Sequence, residues 1–140
     1  MKKAIAIALF LMAALALASR CEAQALVIAN PGVKAAEVTK NNLRDLFTGN
    51  ATSLAGGIPA TPVLLKGGAA HEEFLTAYVG KSDTAFRASW RSLVFSGQAS
   101  MPKSLESDAA VVEYVAHNAG AIGYIGKASP HEGVKVLTIK

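Results

Sequence analysis

Cysteine is nearly absent: the 140 residues hold one, Cys21. That excludes a disulfide framework and a cysteine-built zinc site. Charged residues are sparse at 17%, yet hydrophobic residues reach 51%, so the chain is neither disordered nor collagen-like. No basic run of the kind that reads nucleic acid is present. There is no Gly-x-Ser-x-Gly elbow and no His-Glu-x-x-His pair, and the carboxylates are scattered rather than paired. Serine hydrolase, zinc protease and glycosidase chemistry therefore have no support, and the chain reads as a binding protein rather than an enzyme. No cofactor and no metal site is implied. Internal repeats and low-complexity segments are missing, and one domain is the expectation at this length.

The only long apolar run lies at the N-terminus. Lys2 and Lys3 precede an apolar stretch from Ala4 to Ala18, and Cys21-Glu22-Ala23 offers small residues at −1 and −3. This describes a secretory signal over residues 1–23, too short for a spanning helix, with a mature domain over residues 24–140. A lipoprotein signal would need a small residue before Cys21, and Arg20 stands there. Cleavage after Ala23 removes the cysteine and brings the net charge to about +2. The expected location is periplasmic or secreted. The Asn50-Ala51-Thr52 sequon is set aside because the signal looks bacterial.

The mature chain alternates strand and helix signals. Leu26–Ala29 reads as a buried strand ended by Asn30-Pro31-Gly32. Thr39 caps a helix with Leu43, Leu46 and Phe47 on one face. Asn50–Gly57 reads as a loop and Thr61–Leu65 as the second strand. A helix follows over Ala70–Val79. Ser82 caps another, with Phe86, Trp90, Leu93 and Val94 on its packing face. Gly97–Ser104 reads as a polar loop, and Ser107-Asp108 caps the last helix. Ala121–Ile125 and Val134–Ile139 close the chain as strands. The order β-α-β-α-α-α-β-β predicts an α/β domain, a mixed sheet flanked by helices. Ligands in such folds sit at the carboxyl ends of strands, beside helix starts.

Lys66-Gly67-Gly68 turns a strand into a helix, so the N–H groups at Gly68 to His71 open outward and attract an anion, with Lys66 adding charge. The candidate ligand-binding residues are Lys66, Gly67, Gly68, Ala69, Ala70 and His71. The histidines His71, His117 and His131 lack metal spacing and read as surface or capping side chains. Gly123, inside a strand, implies close approach of another backbone or of a ligand.

Gly120-Ala121-Ile122-Gly123-Tyr124-Ile125 resembles the Pro-Gly-Ala-Ile-Gly-Tyr-Val segment of phosphate-binding proteins, the periplasmic receptors of phosphate ABC transporters. Leu43-Arg44-Asp45-Leu46-Phe47-Thr48-Gly49 is similar to their Leu-x-x-Ile-Phe-x-Gly helix end. Gly57–Leu65 resembles their strand entry, and Ser89-Trp90 with Phe95-Ser96-Gly97 resembles short, single-domain members. The resemblance implies one lobe of a type II periplasmic-binding-protein fold and a role in binding phosphate or another small anion, accessory to an ABC transporter. Full-length members have two lobes with the anion between them; this chain is long enough for about one. Their Ser-Gly-Thr donors align with Gly68, Ala69 and Ala70, and Lys66 stands where they carry Asp. Only the backbone N–H array carries over. The alternative is a protein-interaction or sensory module that kept the fold and lost the anion site, serving a membrane transporter or sensor.

Overall fold

The computed structural model describes residues 25–140. The expected signal segment lies outside them. Strand β1 (Ala25–Ala29) is followed by β2 (Glu37–Val38) and helix α1 (Lys40–Phe47). Strands β3 (Ser53–Leu54) and β4 (Ile58–Pro59) form a small hairpin, and β5 (Thr61–Leu65) follows. Helix α2 (Ala69–Phe74) continues into a π-helical turn over Leu75–Val79. Helix α3 (Asp83–Phe95), β6 (Lys103–Leu105), α4 (Asp108–His117), β7 (Ala121–Gly126), β8 (Lys135–Val136) and β9 (Thr138–Ile139) complete the order.

The main sheet runs β6-β5-β7-β1-β8. Strand β5 is parallel to β6 and β7, and β1 is antiparallel to β7 and β8. The mixed sheet is as expected. Three readings of elements are corrected, the first being Asn50–Gly57, which is expected as a loop but contains β3, made a strand by its pairing with β4. Lys103 and Ser104, expected to end the polar loop Gly97–Ser104, form with Leu105 a short parallel edge strand. Val134–Ile139, taken as one strand, divides into β8 and β9, because β8 pairs with β1 while β9 pairs with β2. Leu137 bridges the two, donating its N–H to Val27 O at 3.0 Å.

Side chains on β7 alternate between the faces of the sheet, which decides what covers each. Gly123 faces α4. A Cβ there would stand 2.8 Å from Val111 Cγ1 and 3.3 Å from Val115 Cγ2. The close approach inferred from the sequence is real, but the neighbours are helix valines, neither backbone nor ligand. Tyr124 points the other way, stacked on Phe74 with ring centroids 3.9 Å apart and edge-on to Phe47. Thus α4 covers one face of the sheet, and α1 with α2 covers the other.

Caps fall where the sequence places them. Thr39 Oγ1 accepts from Asn42 N at 3.1 Å, Ser82 Oγ from Ala85 N at 3.2 Å, and Ser107 Oγ from Ala110 N at 3.1 Å. Asn30 caps α4 from the other end, donating through Nδ2 to Val115 O at 2.9 Å. Trp90 is buried with Phe86, and its Nε1 donates to Phe47 O at 2.9 Å, tying α3 to the end of α1. Val94 departs from its expected place: it is exposed, because the buried stripe of α3 stops at Leu93.

Candidate functional site

The carboxyl ends of β5, β6 and β7 lie on one edge of the sheet because the three strands are parallel. The start of α2 follows β5 and the start of α4 follows β6, so both belong to this edge. The two starts differ. That of α4 is capped by Ser107, and its first-turn Asp108 already accepts from Gly126 N at 3.0 Å and Ser129 Oγ at 2.5 Å. That of α2 has no side-chain cap. Its first N–H groups have no partner inside the helix.

Lys66, Gly67, Gly68 and Ala69 are exposed, and Ala70 is half-buried. A Cβ added to Gly67 or Gly68 would meet nothing within 4 Å, so the site is an open shelf rather than a pocket. Gly68 holds φ +96°, a conformation that favours glycine over any L side chain, and this makes the sharp entry to α2. Lys66 is tied by its N–H to Leu105 O at 2.9 Å. Its Nζ stands 3.4 Å from Glu106 Oε1, an exposed ion pair that contributes little to stability and diverts part of the positive charge from the shelf.

His71 is corrected. It is neither a surface nor a capping side chain: its side chain is fully buried. Nδ1 lies 2.5 Å from Tyr124 Oη, and Nε2 lies 2.6 Å from Asp83 Oδ1. Tyr124 Oη also accepts from Leu65 N at 3.0 Å. Burial pushes the Tyr124 pKa well above its ordinary value, so the phenol keeps its proton. One proton arrangement satisfies all these contacts. Tyr124 accepts from Leu65 and donates to Nδ1, and Nε2–H donates to the Asp83 carboxylate. Burial opposes the charge on Asp83, but hydrogen bonds from His71 and Arg87 outweigh it and hold the carboxyl below its usual value. Arg87 Nε reaches Asp83 Oδ1 at 2.9 Å, and Arg87 Nη2 donates to Lys66 O at 2.7 Å.

The chain of contacts therefore runs from the sheet centre at Tyr124, through His71, Asp83 and Arg87, to the Lys66 carbonyl beside the shelf. His71 has no exposed surface, backbone included, so it offers an anion no contact of its own. Tyr124, Asp83 and Arg87 escaped the sequence reading. Their one signal was Tyr124 within the Gly-Ala-Ile-Gly-Tyr motif; nothing in Asp83-Thr84-Ala85-Phe86-Arg87 marks a partner for a histidine in another helix.

His117, at the end of α4, bonds only its own turn, through Glu113 O at 2.8 Å, and His131 bonds Ser129 O at 3.0 Å. Among the described residues, no three His, Cys, Asp or Glu side chains are grouped to hold a metal, and no helix is long and apolar enough to cross a membrane.

No protein-family model matches the sequence, and no curated protein does. Solved structures do match. A protein described as a phosphate ABC transporter substrate-binding protein with bound phosphate, from Clostridium perfringens, is similar over 83% of this chain and 44% of its own, at TM-score 0.63 and 16% identity. An ABC-type phosphate transport receptor from Vibrio cholerae matches over 83% of this chain and 46% of its own, at TM-score 0.55 and 17% identity. PstS from Borrelia burgdorferi matches over 84% and 47%, at TM-score 0.54 and 17% identity. These neighbours are binding proteins, and this chain spans less than half the length of each. The chain thus shares the fold of phosphate ABC transporter substrate-binding proteins, over less than half of their length.

Proposed function

We propose that the chain is a non-enzymatic binding lobe of the phosphate-receptor kind. It is exported to the periplasm after cleavage before Gln24, and it takes phosphate or another small oxyanion on the backbone of Gly67 to Ala70, with Lys66 beside it and His71 buried beneath. The carrying observation is the uncapped, exposed start of α2 at the carboxyl edge of the parallel strands, in a fold shared with phosphate receptors. Lys66 supplies nearby positive charge. Arg87 holds the Lys66 carbonyl and so fixes the turn that presents the N–H groups. Without hydroxyl donors or a covering surface, the anion stays half in water, and binding is weak and salt-sensitive. The physiological partner on this reading is a phosphate ABC transporter or its sensor.

A second reading, an interaction module that kept the fold, is favoured by the Lys66–Glu106 pair, which places an acid beside the shelf.

Titration of the mature domain with phosphate and with sulfate by calorimetry tests the first reading. Millimolar binding that weakens with salt is expected, and Gly67→Asp should abolish it. Position 67 suits this test because it has open space around it and no positive φ, unlike Gly68. No heat from the wild type at tens of millimolar anion would leave the interaction module standing. Mass spectrometry of the exported protein checks the cleavage, and a lipidated Cys21 would overturn it.

A further inference from the structure

Helix α3 ends on an aromatic side chain that nothing in the fold covers. Phe95 is 96% exposed. It is held firmly: the turn after it closes through Gly97 N to Val94 O at 3.1 Å and Gln98 N to Leu93 O at 2.9 Å. Val94 and Met101 are exposed as well. From Thr84 to Leu105 there is no Asp or Glu, while Arg87, Arg91 and Lys103 carry positive charge. Arg87 is committed to Asp83 and Lys66. Arg91, one helical turn before Phe95, is exposed and forms no ion pair among the described residues.

A surface of matching character lies elsewhere on the molecule. Between α4 and the loop after β7 runs an open groove of about 710 Å³. Ala109, Val112, Ala116 and Pro130 give it an apolar floor, and Glu113 and Glu132 line it. Both acids are exposed and form no ion pair among the described residues. An aromatic knob flanked by a free arginine thus has its complement in an apolar groove flanked by free carboxylates. Buried aromatic and arginine side chains are the commonest anchors of protein interfaces.

We propose that Phe95 of one molecule seats in the α4 groove of a second copy, with Arg91 facing Glu113 and Glu132. The two surfaces are different, so the contact is head-to-tail and each added molecule leaves one knob and one groove free. This is independent of the anion shelf.

Sedimentation velocity of the mature domain over a concentration series at low salt tests it. The wild type should self-associate as concentration rises towards roughly 100 µM, the affinity range of weak interfaces. Phe95→Ser should weaken association at least tenfold, and so should Glu113→Lys combined with Glu132→Lys. All these side chains are exposed, and circular dichroism confirms that each variant is folded. An equimolar mixture of the two variants should form a heterodimer that grows no further, because only one working knob and one working groove remain. A monomeric wild type, association untouched by Phe95→Ser, or a mixture that stays monomeric would overturn the proposal. So would a monomer that binds phosphatidylglycerol vesicles through Phe95.

Discussion

Replacing Tyr124 by Phe removes one oxygen from the centre of the fold and nothing else. The ring keeps its stack on Phe74 at 3.9 Å and its edge contact with Phe47. Two groups lose their partner. Leu65 N–H no longer has the acceptor at 3.0 Å, and His71 Nδ1 no longer has the donor at 2.5 Å. Both belong to buried residues, and no buried side-chain polar atom of the described residues is unpaired in the wild type. Each orphaned polar group costs about 1–3 kcal/mol, so the pair should cost about 2–6 kcal/mol. Urea unfolding followed through Trp90, the only tryptophan, measures this directly. With a slope of about 2 kcal/mol/M, the midpoint should fall by about 1–3 M. Tyr114→Phe is the control, since the Tyr114 hydroxyl holds no side-chain hydrogen bond among the described residues, and it should change stability by less than about 0.5 kcal/mol. A simple transfer argument makes the opposite forecast, because phenylalanine is more apolar than tyrosine. Should Tyr124→Phe prove as stable as the wild type, the network does not anchor the fold and that argument wins.

Three further outcomes are expected. Trp90→Ala should cost about 3–5 kcal/mol in urea unfolding followed by far-UV circular dichroism, since the fluorescent probe itself is removed, from the cavity and the lost bond to Phe47 O. Gly123→Ala drives a methyl to 2.8 Å from Val111 Cγ1 and should cost about 1–3 kcal/mol, with Val111→Ala in the same chain restoring part of it. For Asp83, the folded carboxyl titrates below its unfolded value of 3.8, so its contribution is present above that value and is lost as pH falls through the folded one. Stability measured stepwise from about pH 6 to pH 2 should decline less steeply in Asp83→Asn than in the wild type.

The elements that the sequence shows best are those whose burial is local. Leu43, Leu46 and Phe47 carry a helix between a threonine cap and a glycine, and the structure places it there. Thr61–Leu65 is apolar and bounded by turn signals, and it forms the strand expected of it. Strand β6 escaped because Lys103-Ser104-Leu105 is short and half polar, and only the neighbouring β5 makes it a strand. The two-residue pairs β2–β9 and β3–β4 have no periodicity to read. The shelf at Gly67 and Gly68 was legible, since glycine pairs mark a turn that other residues resist. The burial of His71 was not. It stands beside Glu72-Glu73 in sequence, and its partners lie in α3 and β7, so the reason for its burial exists only once those elements meet.

Strand β1 has a consequence for how the chain reaches this state. It lies inside the sheet, with β7 on one side and β8 on the other. Both neighbours come about a hundred positions later in sequence. A ribosome delivers the inner strand about a hundred residues before either neighbour. During that interval Leu26, Val27 and Ile28 have nothing in the sheet to pair with. Such long-range pairing slows folding and prolongs the exposure of an apolar strand. Removing residues from Lys140 backwards should loosen Glu37–Lys40 first, through β9, and reach Ile28 and Ala29 of the early strand only when Lys135 and Val136 are lost, an order that amide exchange would report.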